Sequence, residues 1–224
     1  MIERFLFYLL VFMVPFQRRL ILYRFTVPVN EWATAYLYVT DIIIILLLSI
    51  ALWRGGVRWH PKKPILVLGA FVVMAIISII GAPVPMLGIY TLVRLCMYIC
   101  LFLYVISEYD SNSQPVNRVF TKSFLQRRFS LATLAPVALV SGALQAAIAL
   151  LQYVLQTSVG FRWLGESPLT PGAYGVASFY VDNMPILRAY GTTPHPNILA
   201  LILALALILS WQYIIKLENR FQRW

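Results

Sequence analysis

Acidic residues are scarce in this chain: Asp and Glu together number 8 in 224 residues, all charged residues amount to 12%, and cysteine and histidine occur only twice each. So little charge beside 61% hydrophobic residues and a mean hydropathy of +0.79 excludes a water-soluble domain of ordinary composition and points to an integral membrane protein. The two cysteines, Cys96 and Cys100, lie four apart in one apolar run with no further ligand type beside them. That spacing excludes a disulfide framework and a metal cluster, and leaves them as small packing residues. Also missing are a Gly-rich nucleotide loop, paired metal-binding carboxylates and an HExxH motif, which argues against a nucleotide-dependent cytoplasmic enzyme and a metalloprotease. Neither cofactor nor metal is expected. The net charge of +10 comes with no nucleic-acid-binding motif, and the Lys and Arg residues are scattered between apolar runs, as topology signals are.

What is present is a series of apolar runs. They predict an all-α polytopic membrane protein, a single transmembrane domain over 1–224 with about six spans at 5–16, 33–53, 64–80, 86–106, 131–155 and 193–215. The first run is short, but Pro15-Phe16-Gln17-Arg18 is a poor cleavage site, so it is read as a short or tilted span rather than a signal peptide. Trp32, Tyr36, Tyr38 and Trp53 bracket the second span as interfacial aromatics do. Arg54, Arg58, Lys62 and Lys63 place the 54–63 loop in the cytoplasm, and Arg118, Lys122, Arg127 and Arg128 do the same for 107–130. By alternation both termini are cytoplasmic and the 156–192 loop lies outside; Arg18, Arg19 and Arg24 break the pattern. Val116, Val119, Phe120 and Phe124 recur at helical spacing with Arg118, Lys122 and Arg127 elsewhere around the turn. This suits either a basic amphipathic helix on an anionic leaflet or a plain topology signal. His60, on the 54–63 loop, is given no role. In the 156–192 loop, β-prone runs on either side of Asp182-Asn183 predict a small hairpin, with Pro185 confining its strand to an edge.

Two ionisable residues fall inside predicted spans. Arg94 needs a partner there, and Asp41, at comparable depth, is the expected one. Such a pair either fixes helix packing alone or holds Arg94 towards a substrate cavity.

The densest cluster of chemically capable residues is the stretch from Arg188 to Asn197, RAYGTTPHPN. Thr193 suits a helix N-cap, Pro194 the first helical position, and Gly191 a positive φ or a close backbone approach. A helix N-terminus attracts anions, and Arg188, His195 and Asn197 stand around this one. The two prolines remove backbone donors, so side chains must supply much of any anion binding. Arg188 and Asn197, with Arg94 as a further contact, are the candidate diphosphate ligands. His195, Glu166 and Asp182 are the loop groups able to act as a base, with His195 the candidate catalytic residue. The same features equally describe a well-capped strand-to-helix corner.

The run from Val159 to Gly172, VGFRWLGESPLTPG, followed by the stretch from Leu187 to Asn197, resembles the O-antigen ligase/polymerase superfamily, in which an Arg-x-x-Gly…Pro-Asn pattern opens a membrane helix. Tyr38-Val-Thr-Asp41 before an apolar run adds to the likeness. The resemblance implies a GT-C-like, metal-independent, inverting glycosyltransferase of the bacterial inner membrane. Such an enzyme moves a glycan from undecaprenyl diphosphate to a glycan or lipid acceptor at the periplasmic face, with Arg188 at the arginine that contacts the donor diphosphate. Family members have more spans, and their proposed catalytic His lies on a later loop, so the chain corresponds to an N-terminal half. His195 has no clear counterpart. Two other classes of function compete. A transporter or flippase subunit predicts internal repeats and helices broken at mid-membrane, which the sequence does not display. A non-catalytic membrane scaffold predicts that Arg188 and His195 are replaceable.

Overall fold

In a computed structural model the described residues are 2–25, 33–54, 62–110 and 131–221. The elements in chain order are α1 (Ile2–Met13), β1 (Arg19–Arg24), β2 (Thr34–Tyr38), α2 (Val39–Trp53), α3 (Lys62–Ile80), α4 (Pro85–Asp110), α5 (Leu131–Leu155), β3 (Ser178–Val181), β4 (Met184–Leu187) and α6 (Pro196–Phe221). The chain divides into two compact units, one of Met1–Leu6 with Leu20–Phe129 and the other of Phe7–Arg19 with Ser130–Trp224.

The expectation of a polytopic protein with six spans is overturned. Among the described residues two helices are long and apolar enough to cross a membrane, Pro85–Ser107 and Leu134–Leu155. The reason is length. A bilayer core of about 30 Å takes about 20 helical residues at 1.5 Å each. Among the described residues the apolar stretches Val39–Trp53, Ile65–Ile80 and Pro196–Trp211, within α2, α3 and α6, are each shorter than 18 residues, and α1 has 12. Apolar runs that look continuous in sequence also divide between different elements. Residues 34–38, the start of the second expected span, form β2 and pair with β1 instead of entering the helix. Their composition, Thr-Ala-Tyr-Leu-Tyr, favours a strand, and β2 shortens α2 to 15 residues. The amphipathic stretch at 116–129, His60 and most of the 54–63 and 107–130 loops lie outside the described residues.

In the first unit, α4 packs against α2 and α3, and β2 packs against α2 and α4. Ile44, Leu47 and Ala51 bury one face of α2. Near the start of α1, Glu3 accepts from Tyr104 of α4 (3.3 Å) and pairs with Arg54 at the end of α2 (2.9 Å). A groove of about 520 Å³ runs beside α3 and α4, lined by Ala75, Ile79, Leu87, Gly88, Thr91 and Leu95 among others.

The second unit is built on α5 against α6. Gly142 permits their close approach, because a side chain there would meet Ala206. The hairpin expected around Asp182-Asn183 is present: Ser178 pairs with Leu187, Phe179 with Ile186, Tyr180 with Pro185 and Val181 with Met184. Asp182 and Asn183 both take positive φ (48° and 64°), the geometry a two-residue hairpin turn requires. Leu169, Leu187 and Tyr190 form a small core beneath it, with Val176 and Ala177 packed alongside.

Candidate functional site

The site that carries Arg188 begins with a polar face on an apolar helix. Ser141, Gln145 and Gln152 recur on α5 at intervals of four and seven, which keeps them on one side, and Gln156 follows one residue past the helix end. Gln145 and Gln152 are wholly buried, so their amides must be satisfied internally. Gln152 Oε1 accepts from the backbone N–H of Tyr190 (3.0 Å) and Gly191 (2.8 Å), while its Nε2 donates to Gly191 O (2.8 Å) and to Glu166 Oε1 (2.8 Å). Gln145 Oε1 accepts from Thr192 N (2.9 Å), and its Nε2 donates to the Thr192 hydroxyl (2.7 Å), which in turn donates to Pro15 O (3.0 Å). Ser141 donates to Phe12 O (2.7 Å). At the end of α5, Gln156 Oε1 accepts from Leu187 N (2.7 Å). Two buried amides and one terminal glutamine thus fix the backbone from Leu187 to Thr192. Gly191 adopts φ +60°, and a side chain there would run into Gln145.

Glu166 is also committed to structure. Its carboxylate, 5% exposed, accepts from three successive backbone N–H groups, Val159, Gly160 and Phe161, besides Gln152. Those bonds occupy the lone pairs a base would use. Asp182 sits exposed in the hairpin turn.

The corner itself is shifted from its expected register. The last helix begins at Pro196, not near Thr193. Thr193 is buried, and its hydroxyl faces the carbonyls of Tyr190 (2.7 Å) and His195 (3.0 Å), so it does not accept from the helix N-terminus. His195 takes the cap: its Nδ1 accepts from Asn197 N (3.2 Å), and its carbonyl accepts from Ile198 N and Leu199 N. Pro196, not Pro194, then occupies the first helical position. The shift follows from the buried amides, which hold residues 190–192 against α5 and leave Thr193 facing inwards. With Nδ1 accepting, the neutral imidazole carries its proton on Nε2, so proton abstraction by His195 competes with capping.

Arg188, in contrast, is exposed. Its backbone N–H donates to Ala177 O (3.1 Å), and its Nη2 donates to Asn197 Oδ1 (2.9 Å). No carboxylate pairs with it among the described residues. The backbone donors at the start of α6 are spent, because Pro196 has none and those of Asn197, Ile198 and Leu199 are taken by His195. Any anion here therefore depends on the guanidinium of Arg188 and the partial positive charge of the helix end. No known protein family, characterised protein or solved structure matches this chain.

Asp41 and Arg94 belong to the first unit, and the structure brings them together, with Arg94 Nη2 3.4 Å from Asp41 Oδ1. Asp41 is 3% exposed and stands in the first turn of α2, where its Oδ2 accepts from Tyr38 N (3.1 Å) at the positive end of the helix. Arg94 also donates to the hydroxyls of Tyr90 (3.3 Å) and Tyr98, and its guanidinium carbon lies 4.8 Å from the centre of the Tyr38 ring. Tyr98 donates to Asp41 Oδ1 (3.3 Å). Arg94 is thus enclosed by one carboxylate and three tyrosines, a geometry that spends its charge on packing. Cys96 is half-buried and Cys100 exposed, both as free thiols. The buried network on α5 was the feature least legible in sequence. Its signal was two glutamines seven apart in an otherwise apolar helix.

Proposed function

We propose that this chain is the donor-binding, N-terminal part of a membrane glycosyltransferase of the O-antigen ligase kind. It would act on a glycan carried by undecaprenyl diphosphate at the outer face of the bacterial inner membrane, for transfer to a glycan or lipid acceptor. Two helices long and apolar enough to cross a membrane support membrane association. The observation that carries the proposal is Arg188. It is an exposed cation at a hydrogen-bonded corner, joined to a neutral amide and, among the described residues, left without a carboxylate, at the positive end of α6. A planar fork of donors in that setting matches a diphosphate. Asn197 belongs to the site as the residue that aims the fork. Arg94 contributes less to this reading, since Asp41 already neutralises it.

Binding of undecaprenyl diphosphate to the purified full chain in nanodiscs tests the proposal. Arg188→Ala weakens it about tenfold or more, the worth of one charge-assisted hydrogen bond or a bidentate pair. Arg188→Lys restores part of the loss, because it returns the charge without the fork. Unchanged affinity in Arg188→Ala overturns the proposal and favours a non-catalytic scaffold.

A further inference from the structure

The β3–β4 hairpin has two unlike faces. Residues opposite one another in an antiparallel pair share a face, and neighbours along a strand alternate. Ser178, Tyr180, Pro185 and Leu187 therefore lie on one side, and Phe179, Val181, Met184 and Ile186 on the other. The first side is packed on the loop at three of its four positions: Leu187 is fully buried in the small core, the Ser178 hydroxyl accepts from Gly172 N (3.1 Å), and Pro185 lies close to Gly172, while Tyr180 is 68% exposed. The second side is wholly apolar and open, with Phe179 41%, Val181 46% and Met184 72% exposed.

Its place in the unit says what covers it. Leu187 N is bonded to Gln156 Oε1, one residue past the end of α5, and the Thr157 hydroxyl donates to Leu169 O (3.3 Å). The hairpin is thus tied to the terminus of a helix whose Leu134–Leu155 portion is long and apolar enough to cross a membrane. Headgroups and the acyl boundary meet a spanning helix at its end. Trp163, 65% exposed, belongs to the 159–166 turn that Glu166 fastens to Gln152 near the same end, and exposed tryptophan is characteristic of that depth. We infer that the Phe179–Val181–Met184–Ile186 face of the hairpin rests in the interfacial layer of the phospholipid membrane that α5 enters, with Trp163 as a second anchor. The hairpin then holds the Arg188 corner at headgroup level. This inference does not depend on the chemistry of any donor.

A nitroxide placed on Met184→Cys in the full chain, with Cys96 and Cys100 replaced by serine, reads the depth in vesicles of phosphatidylethanolamine and phosphatidylglycerol. Met184→Cys collides more with oxygen than with an aqueous nickel chelate. Tyr174→Cys, on the Gly172–Gly175 segment covering the opposite face, shows the reverse. Leu144→Cys, an exposed position within α5, reports lipid contact. Preferential access of the nickel chelate to Met184→Cys overturns the inference, as does shielding from both probes, which marks a protein partner or a second copy. If the cysteine-free background fails to fold, brominated lipids provide the second measurement. Quenching by lipids brominated near the headgroups drops when Trp163→Phe is introduced into the otherwise unaltered protein, and quenching that stays the same overturns the inference.

Discussion

Arg94 and Arg188 are both single arginines amid apolar sequence, and the two units treat them in opposite ways. In the first unit the cation is met by a carboxylate and three aromatic rings, and little of its charge remains for a ligand. In the second unit the buried polar groups are mostly neutral, and they satisfy the loop backbone. The cation is left outside with an amide beside it. Ionic pairing around Arg94 stabilises local packing, while neutral amides around residues 187–192 hold the backbone and leave Arg188 exposed beside Asn197.

The contrast can be broken from either side. The largest effect on folding is expected from Gln152→Leu, which strands two backbone N–H groups, one carbonyl and part of the Glu166 shell. At roughly 1–3 kcal/mol per unsatisfied buried group, partly relieved by relaxation, the loss is about 3 kcal/mol or more. Thermal unfolding in detergent measures it. A loss below about 1 kcal/mol would mean that water or a rearranged loop replaces the amide. Gly191→Ala comes next, at about 1–3 kcal/mol, from a positive φ together with the encounter with Gln145. Asp41→Asn costs about 1–2 kcal/mol, discounted because the Arg94 side chain is 27% exposed. Adding Arg94→Gln to that variant costs less than the sum of the two single changes, and additivity would show that the pair is not coupled. Arg188→Ala stays within about 0.5 kcal/mol of the parent in stability, as an exposed side chain should, while donor affinity falls. A large loss of stability there would move Arg188 into the class of Arg94.

Much was legible along the chain. The apolar composition, the hairpin around Asp182-Asn183, and the expectation that Asp41 would find Arg94 are local or pairwise features, and each rests on a turn geometry or on the cost of an unpaired intramembrane charge. The count of six spans was not legible, because hydropathy reports how apolar a run is and not where its backbone changes from strand to helix. The change at Tyr38 to Val39 takes Asp41 from the interior of an expected span to the first turn of a helix. The cap at the last helix moved from Thr193 to His195 for a related reason. Both residues are able to cap, and contacts with α5, distant in sequence, selected between them.

The sequence by itself determined the apolar character and the residues able to carry charge. These follow from side-chain chemistry, which does not depend on partners. Tertiary structure decided which charges are spent. Whether Glu166 is a base or a brace, and whether Arg94 or Arg188 is met by a carboxylate or by an amide, depends on donors and acceptors brought within about 3 Å, the range over which a hydrogen bond forms. Those distances are set by the packing of elements far apart in the chain.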